Sequence, residues 1–356
     1  MLLHEHLENG ADKNPNFPFS EFEGNSLSYQ EANLLSNQLA NKLVSEGLEV
    51  GDRFAFLAKN CTEMAIMYYA ASKVGVVPVP LNYRLADQEW AYIINDSEAK
   101  LIIVKGNEYS DRINQISSEL KNVKKYISIS LDNSIEKFQD FYDWLSDSSN
   151  EKPTLKIHEN DDVYQMYTSG TTGHPKGAVL LQRNVAANIR QYLNSLTLPR
   201  PSRTLLVAPM YHAAAMINMC GCIAIGGTIV IQEDFIPQDV VDCLANEKIT
   251  HTVLVPAMIQ ACLVSVPNVA NNEYNDLDQI HYGASPIAPE TLKKAMDVFK
   301  CKFGQGFGMT ETVAVICLMT PEEHIRALNE KPELLKSCGR PAIDTQVEIR
   351  DENDNP

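Results

Sequence analysis

Short apolar runs alternate with longer amphipathic stretches along most of the chain, and that alternation leaves few folds open. Ser28-Tyr29-Gln30-Glu31 is a capping box, and Ala32, Leu35, Leu39 and Leu43 follow it at helical spacing. Gly47 closes that helix, Gly51-Asp52 turns, and Phe54 to Leu57 reads as a strand. A second helix over Glu63 to Lys73 ends at Gly75, and Val76 to Val79 reads as a strand broken by Pro78 and Pro80. Leu101 to Val104 and Tyr126 to Leu131 are strand-like, with a polar helix candidate, Ser110 to Lys121, between them. Past a polar loop at Ser146 to Pro153, the pattern predicts helices at Arg183 to Leu196, Val240 to Glu247 and Glu290 to Phe299. Strands are predicted at Leu205 to Ala208, Thr252 to Val255 and Val347 to Arg350. Helix and strand alternating at this pace require crossover connections, hence an α/β fold with a largely parallel sheet and helices on both faces.

With 356 residues the chain can bury a large core and exceeds the usual size of one compact domain. Its formal net charge of −16 argues against nucleic acid and anionic membrane surfaces as partners. A polyanionic ligand would need positive charge placed locally. The eight cysteines include no CxxC pair. Cys220-Gly221-Cys222 lies in an apolar run without an adjacent histidine, so buried thiols are expected rather than zinc or disulfides. The start, Met1-Leu2-Leu3-His4-Glu5-His6, carries no secretory pattern, and a cytoplasmic setting is the expectation. Ala213 to Ile231 is uncharged, but Gly226-Gly227 divides it into a helix-like and a strand-like half, so no transmembrane segment is expected.

One polar stretch has a chemistry of its own. Tyr167-Thr168-Ser169-Gly170-Thr171-Thr172-Gly173-His174-Pro175-Lys176-Gly177 joins the apolar run Val163 to Tyr167 to the run Ala178 to Leu181. Its glycines allow successive amide N–H groups to converge on one anion, while the Ser/Thr hydroxyls and Lys176 add donors and positive charge. Polyphosphate is the natural guest. A plain surface turn is the alternative, and eleven residues in this order weigh against it. The common nucleotide-binding P-loop needs Gly-Lys-Ser/Thr, whereas Lys176 stands between Pro175 and Gly177, so that class is disfavoured.

Three further clusters follow. Pro209-Met210-Tyr211-His212 comes after a predicted strand, where open α/β sheets bind ligands. Taken alone, it is equally a hydrogen-bonded pair in a crowded turn. His281-Tyr282-Gly283-Ala284-Ser285-Pro286 ends another strand with small residues that admit a flat ring, or is an ordinary strand-to-helix turn. Gly304-Gln305-Gly306-Phe307-Gly308-Met309-Thr310-Glu311 sets glycines around an aromatic, then a hydroxyl beside a carboxylate. That order suits a base, a phosphate and Mg²⁺, although a Gly-rich turn before a helix shares the composition.

Thr168 to Gly177 resembles the phosphate-loop signature of the adenylate-forming superfamily: acyl-CoA synthetases, luciferases and peptide-synthetase adenylation domains. The resemblance extends from about Leu27 to the last residue, through Tyr69 to Gly75, Pro80 to Leu85, the three clusters above and Ser337-Cys338-Gly339-Arg340-Pro341. Phe307 replaces the family's usual Tyr, which keeps stacking and removes one hydroxyl.

The resemblance implies stacked, mostly parallel sheets with helices, and the start of a small β-barrel. It also implies that residues 1–356 are the large N-terminal AMP-binding domain, incomplete from about residue 339. Thr168, Ser169, Gly170, Thr171, Thr172, Gly173 and Lys176 would hold the β- and γ-phosphates of ATP. Gly283, Ala284 and Ser285 would meet adenine together with Gln305, Gly306, Phe307, Gly308 and Met309. Thr310 would contact the α-phosphate, Glu311 with Thr168 would hold Mg²⁺, and His212 would border the acid. His212, Lys176 and Glu311 are the catalytic candidates.

The implied activity is ATP-dependent conversion of a carboxylic acid, first a fatty acid, to acyl-AMP and then to a thioester of coenzyme A. The alternatives are an aryl-acid ligase, a ligase loading a carrier protein, and a nucleotide-binding module without catalysis. A homodimer is left open. The family's ribose-gripping Asp, hinge and mobile C-terminal domain with its lysine have no counterpart here. The polar turn Asp351 to Pro356, without a returning strand, reads as a cut inside a hairpin, so little thioester formation is expected of this stretch alone.

Overall fold

A computed structural model of the protein describes residues 1–130, 135, 137–168, 173–195 and 198–356. In chain order the strands are β1 (Pro18–Phe22), β2 (Asn25–Ser28), β3 (Arg53–Leu57), β4 (Val77–Leu81), β5 (Leu101–Lys105), β6 (Lys125–Ile129), β7 (Phe138–Asp140) and β8 (Asp162–Thr168). They continue as β9 (Lys176–Leu181), β10 (Arg203–Leu206), β11 (Thr228–Ile231), β12 (His251–Val253), β13 (Gln279–Gly283), β14 (Lys302–Phe307), β15 (Cys317–Met319) and β16 (Arg340–Pro341). Among the described residues they form a nine-stranded sheet, a five-stranded sheet and the separate hairpin β8–β9.

The larger sheet runs β16-β15-β14-β13-β12-β10-β11-β1-β2, parallel from β14 to β1 and antiparallel at both margins. The smaller sheet, β4-β3-β5-β6-β7, is parallel throughout. Pro78 and Pro80 fall in its edge strand β4, where missing N–H groups cost no ladder bond. Parallel strands need crossovers, and helices supply them. The helix Thr62–Val74 is buried at every residue from Met64 onward, so it serves as core rather than surface, and it stops at Gly75 with φ 69°. The helix Pro289–Phe299 instead buries one stripe, Leu292, Ala295 and Phe299.

The capping box at Ser28 forms as read: the hydroxyl accepts from the Glu31 N–H, and the Glu31 carboxylate accepts from the Ser28 N–H at 2.8 Å. Ala213–Ala224 is a helix and β11 follows a turn at Gly226, so the uncharged run is two buried elements. Among the described residues no helix is long and apolar enough to cross a membrane. The polar helix candidate Ser110 to Lys121 lies earlier than expected, at Asn107–Ile116 followed by a single turn, Ser117–Glu119. Leu131 and Leu196, the predicted ends of a strand and a helix, lie outside the described residues.

The predicted strand at Val347 to Arg350 is not formed. Its residues are exposed, Ile349 to 87%, and no described strand lies beside them to complete a ladder. The turn beyond it does close, through Asp351 N–H donating to the Asn355 carbonyl at 2.8 Å.

Because β10, β12, β13 and β14 are parallel, their carboxyl ends open on one edge of the sheet. Residues 207–212, 254–255, 283–285 and 307–311 leave from that edge together.

Candidate active site

A cavity of about 480 Å³ opens at this edge. His212, Gly283 and Ala284 line it, and so do Gly306, Gly308, Met309 and Thr310. Three clusters separate in sequence thus meet in one place. Gly283 sits opposite Gly306 in the β13–β14 register, and a side chain on Gly283 would collide with the Gly306 carbonyl. Likewise a side chain on Gly308 would strike the Ala314 backbone. The glycines therefore serve close backbone approach. Ala284 adopts φ 66°, an unusual left-handed conformation for a residue with a Cβ, on the wall of the site.

Not every predicted residue faces the cavity. Ser285 is exposed beside it, and Gln305 accepts a hydrogen bond from the Tyr282 hydroxyl at 3.4 Å. Phe307 is 47% exposed and free to lie against a ring. Gly304 to Phe307, which could have been a turn, is strand β14, flanked by β13 and β15.

The segment after Gly308 returns toward β15 and is held from outside. Asn188, on the helix Gln182–Ser195, donates to the Val315 carbonyl at 2.8 Å and accepts from the Val315 N–H at 3.1 Å. Nothing in the sequence around Asn188 marked this clasp.

The polyphosphate candidate is the tip of the β8–β9 hairpin. Thr168 pairs with Lys176 across it, and the Thr168 hydroxyl donates to the Lys176 carbonyl at 3.5 Å. Ser169, Gly170, Thr171 and Thr172 lie outside the described residues. Gly173 is exposed with φ 136°, a conformation suited to glycine. His174 stacks on Tyr92, with ring centroids 4.6 Å apart and planes 18° from parallel. The Tyr167 hydroxyl donates to Asp96 at 2.7 Å, so the helix Asp87–Asp96 supports both sides of the tip.

Strand β9 packs beside the single turn Thr310–Thr312, which brings the hairpin alongside Glu311. Lys176 and Glu311 are exposed, and among the described residues neither side chain makes an ion pair or hydrogen bond. No cluster of three metal-ligating side chains occurs among the described residues. An uncommitted carboxylate suits Mg²⁺, which is commonly held by one or two carboxylates together with substrate phosphates.

His212 caps the helix Ala213–Ala224 at its N-terminus. One side of its ring is open to the cavity, while the protein around the rest pushes it toward the neutral form, first by desolvation and then by the Arg84 charge. Tyr211 packs against it with ring centroids 4.4 Å apart, and burial pushes the Tyr211 hydroxyl up to about 12. Arg84 also lines the cavity and is anchored by Tyr83 at 3.1 Å and Asp234 at 3.5 Å. On its other side is a more open depression of about 660 Å³. Its Lys59 is already paired with Glu233 at 3.5 Å and Asp234 at 3.6 Å, so it offers less uncommitted charge.

The sequence matches the AMP-binding enzyme family over residues 7–356. The chain belongs to that family. It is 28% identical over 326 residues to the long-chain-fatty-acid–CoA ligase FadD13 of Mycobacterium tuberculosis, covering 91% of this chain and 61% of the relative. It is 30% identical over 339 residues to the fatty acid–[acyl-carrier-protein] ligase ScoC of Streptomyces coeruleorubidus, covering 93% and 62%. The chain therefore spans about three fifths of the length of these relatives. The inhibitor-bound N-terminal domain of FACL13 from M. tuberculosis superposes with a TM-score of 0.89 at 26% identity, covering 99% of this chain and 85% of that one. The expected α/β architecture is thus that of an AMP-binding enzyme's N-terminal domain. Asn188 and Tyr92 are supports outside the stretches that carry the resemblance, and Arg84 lies within one of them, Pro80 to Leu85, without having been assigned to this site.

Proposed function

We propose that this chain is the large N-terminal domain of an enzyme that activates a carboxylic acid with ATP and passes the acyl group to coenzyme A. The observation that carries the reading is the convergence of His212, Gly283, Ala284, Gly306 and Gly308 to Thr310 on one cavity, with strand β9, which begins at Lys176, packed beside the single turn that carries Glu311. A carboxylate oxygen attacks the α-phosphorus in line, and the bond to pyrophosphate breaks. The thiol then attacks the acyl carbonyl carbon and AMP leaves. Such chemistry depends on positioning and charge neutralisation more than on covalent help.

In this reading Lys176 and the hydroxyls and amides of residues 168–173 bind the β- and γ-phosphates. Phe307 covers one face of adenine and the backbone of residues 283–285 approaches its edge. Thr310 orients the α-phosphate, and neutral His212 borders the carboxylate without repelling or protonating it. Glu311 and Thr168 would hold Mg²⁺, whose charge would offset that of the phosphates. A fatty acid is the first substrate class to test, in keeping with FadD13. ScoC supports a second reading in which a carrier protein provides the thiol. Eight free cysteines, six of them buried, fit a reducing, cytoplasmic setting.

The test is pyrophosphate exchange with a panel of carboxylic acids, on a chain that includes the mobile domain. Glu311→Gln should abolish Mg²⁺-dependent exchange and leave the unfolding midpoint unchanged, because the carboxylate has no partner among the described residues. Absence of exchange with every acid, alongside intact ATP binding, sinks the enzyme reading in favour of a nucleotide-binding module. Residues 1–356 alone are expected to bind ATP weakly and form little thioester.

A further inference from the structure

The apolar part of the cavity is interrupted by polar side chains. Ile217, Val253, Val315 and Leu318 supply carbon surface, and Tyr192 and His281 stand among them. His281 is 5% exposed and lies two residues before the end of β13, about 7 Å further down the strand than Gly283 at a strand rise of roughly 3.3 Å per residue. Its ring occupies space that the missing side chain of Gly304, opposite it in β14, leaves free. The Gln279 side-chain amide nitrogen contacts Nε2 at 2.7 Å. An amide N–H can only donate, so Nε2 accepts and the proton of the neutral ring sits on Nδ1. Among the described residues nothing accepts from Nδ1. Burial pushes His281 down to about 3, so the ring stays neutral at any pH at which such an enzyme works.

A fully alkyl tail lying against this N–H would displace water and leave a buried donor unsatisfied. An oxygen at the same place would satisfy it. Resting on the adenylating reading above, we propose that His281 is a specificity-determining residue. It selects a carboxylic acid that carries a hydroxyl, ether or carbonyl oxygen distant from its carboxylate, over the all-carbon acid of the same length. The Nδ1–H donates to that oxygen. The aromatic wall formed by Tyr192 and His281, with centroids 5.9 Å apart, accommodates either a ring or a chain leading to it.

The test uses stable acyl-adenylate mimics, acyl sulfamoyl adenosines, in matched pairs on the full-length protein: octanoyl against omega-hydroxyoctanoyl, and phenylpropanoyl against para-hydroxyphenylpropanoyl. Calorimetric dissociation constants should favour the oxygenated member of at least one pair by roughly tenfold to a hundredfold, the effect of one buried hydrogen bond. His281→Leu should erase the preference while the all-carbon member still binds, and His281→Asn, which keeps a donor, should restore part of it. Equal and tight binding of both members of both pairs overturns this inference and leaves the adenylating reading intact. If neither the mimics nor AMP binds, the adenylating reading falls, and this inference falls with it.

Discussion

At the scale of single residues, the site is held by side chains that do not line its cavity. Asn188 satisfies both backbone groups of Val315 from a helix more than a hundred residues away in sequence, and it is 3% exposed. Each orphaned buried backbone group costs about 1–3 kcal/mol. Asn188→Ala should therefore lower stability by roughly 2–4 kcal/mol in urea unfolding and weaken AMP binding, because the loop from Gly308 to Val315 loses its tether. Asn188→Asp keeps the acceptor for the Val315 N–H but sets a buried carboxylate against the Val315 carbonyl, so it should destabilise at least as much as Asn188→Ala at pH 7. A change below about 0.5 kcal/mol in Asn188→Ala would mean that water replaces the clasp without cost. The same loop holds Val313 at φ 70°, a costly conformation for a β-branched residue, and a firm tether is what such strain requires.

At the scale of elements, the hairpin tip is oriented by the helix Asp87–Asp96. Tyr92 stacks on His174 and donates to the Pro175 carbonyl at 3.4 Å. An aromatic pair contributes about 0.5–1.5 kcal/mol beyond its buried area. Tyr92→Ala should weaken ATP binding by roughly threefold to tenfold with little change in unfolding midpoint, and Tyr92→Phe should stay near wild type, since stacking outweighs the long hydrogen bond. An equal loss in both variants would shift the credit to the hydroxyl. The elements divide in the same way into those legible beforehand and those not. β3, β5 and β10 were legible because buried parallel strands are continuous apolar runs, and the helix at Tyr29 because its cap is local. β14 escaped because Gly304 and Gly306 depress strand propensity, and only its neighbours β13 and β15 make it a strand. Val347 to Arg350 was over-read for the opposite reason, having the pattern without a partner. Within the site, the motif residues could be read in order, while Asn188 and Tyr92 act through tertiary contacts that no local spacing encodes.

At the scale of the whole molecule, the histidines set how the fold responds to acid. His251 and His281 are buried in neighbouring strands of the larger sheet, and burial pushes each down to about 3. Burial also lowers His4, which packs its Nδ1 3.0 Å from the Ser72 hydroxyl, and His324, whose Nε2 lies 2.9 Å from the Tyr282 hydroxyl. In the unfolded chain a histidine takes up its proton near pH 6.5. Between that value and about 3, the unfolded chain therefore holds protons that the folded one refuses, and acid favours unfolding. Two such groups lower stability by about 3 kcal/mol per pH unit, a large fraction of a typical folding free energy of about 5–15 kcal/mol. Stability should thus begin to fall more steeply near pH 6.5 and continue to fall through pH 5, before the carboxylates are protonated. Urea unfolding at half-unit pH steps checks this, and the slope between pH 6 and 5 should correspond to uptake of at least two protons. A flat profile across that interval would mean that the folded chain takes up protons on these rings as readily as the unfolded one. His251→Phe should then leave the profile unchanged, whereas if the rings are sealed it should remove about one proton from the slope.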